Sequence, residues 1–206
     1  MDRRLALGAL LATPVLAALL LGLGTILPPL GAWALGLLAY WAGLGAALRA
    51  FSDGDTLAEL AVARSPGWLV TLFLALPPIL LGAATLRLLG REPLPLHVLL
   101  AAGLGAIVNA TLEELFWRGA LLPRATPRAA AGALGLFTLF HLAWLGALGL
   151  ETGAGPLAPV LAALALGGVW TAARLVTGTV GAGILGHAAV NLFAFAGVAA
   201  RNWGAA

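Results

Sequence analysis

The chain has 206 residues, 62% of them hydrophobic and only 9% charged, with a mean hydropathy of +1.03. Soluble domains carry roughly 45–50% apolar and 25% charged residues, so an ordinary soluble domain is excluded and a polytopic membrane protein is indicated. The absence of cysteine excludes disulfides, thiolate metal ligands and a cysteine nucleophile, and a net charge of +3 with no basic run argues against a nucleic-acid partner.

A spanning helix needs about 20 mainly apolar residues. That rule predicts seven segments, near 5–27, 30–50, 67–88, 95–122, 129–150, 156–177 and 180–200. The first apolar run is longer than the roughly 7–15 residues of a signal-peptide core and lacks a clean small-residue cleavage site, so it reads as an uncleaved helix. Pro28-Pro29, Pro66, Pro93, Pro95, Pro123, Pro127, Pro156 and Pro159 fall at the joints, where proline starts or ends helices. Pro77-Pro78 lies inside the third segment and predicts a kink or break there.

The longest loop, FSDGDTLAELAVARSPG, carries a capping-box pattern at Thr56 to Glu59 and predicts a short interfacial helix. No internal repeat is visible. The expectation is an all-α fold, a polytopic membrane bundle of about seven transmembrane helices forming a single integral membrane domain over residues 1–206.

Arginine placement indicates the orientation. With the N-terminus in the cytoplasm, the inner set is Arg3, Arg4, Arg49, Arg64, Arg118, Arg124, Arg128 and Arg174, against Arg87, Arg91 and Arg201 outside. The inner set is the larger, and the N-terminus is expected inside. Lysine-free usage rich in Ala, Leu, Gly and Arg points to a GC-rich bacterial genome, hence to a multi-pass protein of a bacterial inner membrane.

Most charges fall at loops or helix ends. An ionised group near mid-bilayer costs roughly 2.5–3.5 kcal/mol even on lenient scales, so the exceptions carry information. They are Glu113, Glu114, Arg118, His141, His187 and Asn191; His97, near a segment end, reads as an ordinary interfacial residue. At about 1.5 Å per residue from the inner joints at Pro123, Arg128 and Gly178, Glu113 lies roughly 15 Å deep, His141 roughly 20 Å and His187 roughly 13 Å. Three helices therefore place titratable groups in one layer.

Spacing sorts them. Glu114 and Arg118 are i, i+4 neighbours and can neutralise one another. Glu113 is rotated about 100° away and has no counter-ion on its own helix, which suits a proton acceptor. His187 and Asn191, also i, i+4, present two hydrogen-bonding groups on one face, while His141 stands alone one turn after Phe137.

EELFWR (113–118) fits E-E-x-x-x-R, FTLFH (137–141) fits F-x-x-x-H, and HAAVN (187–191) fits H-x-x-x-N. In that order on successive helices, the three motifs resemble the CPBP family of intramembrane proteases, which includes CAAX prenyl endopeptidases and bacteriocin-processing relatives. The likeness covers residues 95–200. It implies an endopeptidase in which Glu113 and His141 activate a water, His187 and Asn191 stabilise the oxyanion, and Glu114 with Arg118 supports the site. Glu113, His141 and His187 would be the ligands of a zinc alternative, but no H-E-x-x-H is present and Asn191 suits an oxyanion donor better than a zinc ligand, so a metal-free mechanism with no cofactor is expected.

Three rival readings use fewer of these residues. A b-type haem protein would use His141 and His187 alone. A proton-coupled carrier would need the internal repeats that are not seen. A scaffold or immunity protein on the same fold would leave the whole motif set idle. The expected partners are the lipid bilayer and a membrane-anchored peptide or protein substrate; in a bacterium that substrate is a leader or regulatory protein rather than a prenylated one.

Overall fold

A computed structural model describes residues 1–204. Eight α-helices follow in order: α1 Arg3–Gly24, α2 Pro29–Phe51, α3 Gly54–Leu60, α4 Trp68–Leu89, α5 Leu96–Glu114, α6 Pro127–Phe140, α7 Ala158–Thr177 and α8 Gly181–Asn202. No strand occurs among the described residues. Helix α5 continues as a π-helical turn, Leu115–Ala120, and α6 as a 3₁₀ turn, His141–Gly146. With those continuations, seven helices are long and apolar enough to cross a membrane. They match the seven segments expected from the sequence, and the eighth helix is the short α3.

The helix starts follow capping chemistry. The Asp2 side chain accepts from the backbone N–H groups of Arg4 and Leu5. Those bonds, that of Leu5 foremost, hold the Asp2 carboxyl below its ordinary pKa. The Thr126 hydroxyl caps α6, with Pro127 in the first turn, where its missing N–H costs nothing. Helix α3 begins earlier than the Thr56 pattern predicts. Asp53 is the cap, and its carboxylate accepts from both the N–H and the hydroxyl of Thr56. A carboxylate has the lone pairs for both bonds, so it outcompetes the threonine for the cap.

Pro77 and Pro78 do not break α4, which is continuous from Trp68 to Leu89. Pro78 is buried in the bundle. Proline is tolerated in membrane helices where neighbours and local adjustment satisfy the freed carbonyls.

Helix α8 packs most extensively, against α5 and α4. Small residues make this possible, as expected where lipid supplies no hydrophobic drive and association depends on close contact. A methyl group on Gly183 would stand 2.9 Å from Glu114 Oε2, and one on Gly186 2.8 Å from Leu74. A cluster including Tyr40, Trp117, Phe137, Phe140 and Trp170 fills the interior. Leucines and other apolar residues such as Leu72, Ile79, Leu104, Leu161 and Leu185 face outward, where a bilayer would meet them.

At the end of the bundle that carries the N-terminus, several ties close the structure. The Asp2 N–H donates to the Leu121 carbonyl at 2.8 Å, and the Val180 N–H donates to the Leu60 carbonyl at 2.7 Å. Helix α3 is thereby fastened beneath the turn between α7 and α8.

Candidate active site

The α5 helix changes register where the charged motif lies. The Leu121 N–H bonds the Phe116 carbonyl five residues earlier at 2.9 Å, the signature of π geometry. Such bulges re-aim side chains and gather at functional sites. The turn buries Trp117 and Arg118 in the bundle, just after Glu113 and Glu114.

Each side-chain nitrogen of Arg118 has a hydrogen-bond partner. Its Nη1 donates to Glu114 Oε1 at 3.1 Å, its Nη2 to the Gly167 carbonyl at 3.2 Å, and its Nε to the Thr171 hydroxyl at 3.4 Å. The guanidinium also lies 4.1 Å from the Phe137 ring centroid. Both partners of the pair are at most 2% exposed. A pair buried this deeply is sustained only when further hydrogen bonds satisfy the remaining donors, and α7 supplies them.

His187 stands between the two acidic residues. Its Nδ1 lies 3.1 Å from Glu114 Oε1, and its Nε2 lies 3.6 Å from Glu113 Oε2. The ring stacks on Trp170 at 3.7 Å between centroids with a 13° tilt. Glu113, which has no counter-ion on its own helix, thus meets an imidazole from α8. Asn191, one turn along α8, is buried. Its Nδ2 and Glu113 Oε2 are both buried without a hydrogen-bond partner.

His141 occupies the joint between α6 and its 3₁₀ continuation. Its Nδ1 lies 2.9 Å from the Phe137 carbonyl. A carbonyl only accepts, so Nδ1 carries the proton and Nε2 keeps its lone pair.

Glu113, His141, His187 and Asn191 all line one cavity of about 830 Å³. It runs from these residues past Asn109 and Thr85 to the segment 147–156 and Arg201, at the end of the bundle away from the N-terminus. His97 lies apart from it, exposed and edge-on to Trp203 at 5.8 Å. All four polar residues singled out from the sequence as chemically active therefore face one space, with the Glu114–Arg118 pair beside them.

Residues 95–193, just under half of the chain, match the family described as type II CAAX prenyl endopeptidase Rce1-like. Over that stretch the chain is similar to the CAAX prenyl endopeptidases. No curated protein and no solved structure gives a significant match. The matched stretch contains all three motifs and ends just after Asn191.

Several residues around the site escaped the sequence reading. Tyr40 accepts from Trp117 Nε1 at 3.1 Å and stacks on Phe140. Trp41 donates to Asn109. Trp170 and Thr171 hold His187 and Arg118. Tyr40 is the chain's single tyrosine and sits mid-span, and Asn109 is a polar residue one turn before Glu113; both were signals in the sequence.

A zinc ion, if bound here, would be held by Glu113, His141 Nε2 and His187 Nε2, with the Phe137 carbonyl and Glu114 behind the two rings. Among the described residues no three acidic or imidazole groups converge with ligand spacing. Zinc requires three or four such donors at about 2.0–2.2 Å.

Proposed function

We propose that the chain is an intramembrane endopeptidase that hydrolyses a peptide bond of a membrane-associated protein or peptide by a glutamate-type, metal-free mechanism. The observation that carries this reading is the meeting of Glu113, His141, His187 and Asn191 on one cavity, where Glu113 Oε2 and Asn191 Nδ2 are buried without partners. Buried polar atoms are almost always paired, and orphans that border a cavity are suited to a reacting molecule.

In the proposed reaction a water lies between Glu113 and the Nε2 lone pair of His141. Glu113 takes a proton as the water oxygen attacks the scissile carbonyl carbon. The oxyanion receives hydrogen bonds from Asn191 Nδ2 and from His187 Nε2, the latter requiring a ring protonated on both nitrogens because Nδ1 already donates to Glu114 Oε1. The carbon–nitrogen bond breaks as the leaving amine takes the proton from Glu113. Glu114 and Arg118 keep His187 and the π turn in place.

The family match supports a protease over a haem protein, a carrier or a scaffold, none of which it favours. The test is turnover of a lipid-anchored peptide by the purified protein in liposomes. Cleavage by the parent and none by Glu113→Gln is the expected result. Equal cleavage by both would remove Glu113 from the chemistry.

A further inference from the structure

Asn109 stands one turn before Glu113 on α5 and lines the same cavity. It is 5% exposed. Its single side-chain hydrogen bond among the described residues runs from Trp41 Nε1 to its Oδ1, at 2.8 Å. An indole N–H can only donate, so this bond fixes which way the amide faces. Oδ1 is turned to Trp41, and Nδ2 is turned away from it with both protons unspent.

Packing alone does not account for this arrangement. An asparagine packed between helices can also spend its amide protons on a carbonyl. Asn202 does so, giving its Nδ2 to the carbonyls of Glu151 and Val198. Asn109 instead uses its acceptor for the helix contact and leaves its donors toward the cavity. Trp41 is itself held in position, packed where a side chain on Gly105 would meet its ring at 3.2 Å.

The spacing suits a peptide. Four helical residues advance about 6 Å, the separation of Asn109 from Glu113 along α5. In an extended chain, carbonyls on the same side recur every two residues, at roughly 6.5–7 Å. With the scissile carbonyl beside Glu113, the carbonyl two residues along the substrate falls opposite Asn109.

We propose that Asn109 is a substrate-binding residue. Its Nδ2 donates to a backbone carbonyl of the bound peptide two residues from the scissile bond, and Trp41 is the positioning residue that orients the amide. This rests on the proteolytic reading above and deepens it, because it assigns a subsite for main chain rather than for any particular side chain.

Binding is measured in the inactive Glu113→Gln protein, so that it needs no turnover. The probe is a dye-labelled, prenylated peptide ending in a CAAX sequence, and its Kd is read by fluorescence anisotropy. Loss of one such hydrogen bond predicts about tenfold weaker binding for Asn109→Leu and for Asn109→Asp, the latter keeping the bond from Trp41. Trp41→Phe weakens binding by a smaller factor, and Trp41→Phe with Asn109→Asp is no weaker than Asn109→Asp alone. In the protein with Glu113 intact, the Asn109 variants raise KM while kcat stays within about twofold, as lost uniform binding requires. An unchanged Kd for Asn109→Leu and Asn109→Asp, or additive losses for Trp41→Phe and Asn109→Asp, would overturn the assignment. Failure of the parent to cleave the peptide bears on the protease reading alone, since the binding arms report on Asn109 separately.

Discussion

The Nδ1 nitrogen of His141 lies 2.9 Å from the carbonyl oxygen of Phe137, one turn earlier in the same helix. The bond leaves the Nε2 lone pair as the ring's free acceptor, and the ring borders the cavity that Glu113 also lines. A general base typically supplies 10²–10⁴-fold of rate, so Glu113→Gln and His141→Ala should each lower cleavage by about that factor or more. Both proteins should remain folded and membrane-inserted. Size-exclusion behaviour in detergent, measured beside turnover, separates loss of chemistry from loss of fold.

Glu114 is expected to behave differently. Its removal strands Arg118, which is 2% exposed and whose only carboxylate partner within salt-bridge distance among the described residues is Glu114. Breaking a buried pair by deleting one member costs roughly 3–5 kcal/mol, so Glu114→Ala should lower the unfolding midpoint as well as activity. Glu113→Ala should shift that midpoint much less, because Glu113 has no such arginine. Equal midpoints for the two variants would remove the supporting role from Glu114.

Gly167 offers a steric test of the same support. A methyl group there would stand 2.8 Å from Arg118 Nη2 and 3.0 Å from both Leu134 and Phe137, whereas one on Gly168 meets only Leu134, at 4.0 Å. Overpacking of this kind typically costs about 1–3 kcal/mol. Gly167→Ala should therefore destabilise the protein and reduce turnover, with Gly168→Ala near the parent in both. Matching thermal curves for the two alanine variants would mean that Arg118 can move without consequence.

Much of the architecture was legible because lipid imposes a simple rule. A span must be long and apolar, and α1, α2, α4 and the four that follow satisfy it with proline at the joints. The gathering of Glu113, His141, His187 and Asn191 was legible for the complementary reason that polar residues are costly in such helices and stand out. The π turn was not legible, since Leu115 to Ala120 carries the same apolar pattern as an ordinary helix. Nor were the contacts made by Tyr40, Trp41 and Trp170. Aromatic residues in a span are unremarkable until the neighbouring helix is in place, and the pairing of α2 with α5 is not written in either one. Pro77-Pro78 does not break α4, because a break depends on what surrounds the proline and α4 is packed against α8.

Metal-bound and direct activation of water lead to different results on chelation. If Glu113 and His141 act on a water directly, the purified protein should contain no stoichiometric zinc, and chelators should leave its activity intact. A zinc site would instead lose activity on chelation and recover it with added metal, because a zinc-bound hydroxide would be the nucleophile. Asn191 supplies an independent reading. As an oxyanion donor its replacement by alanine should lower kcat by roughly 10²–10³-fold with little change in KM. As a packing residue it should lower the unfolding midpoint and leave kcat near the parent. One equivalent of tightly held zinc whose removal reversibly abolishes turnover would replace the direct mechanism.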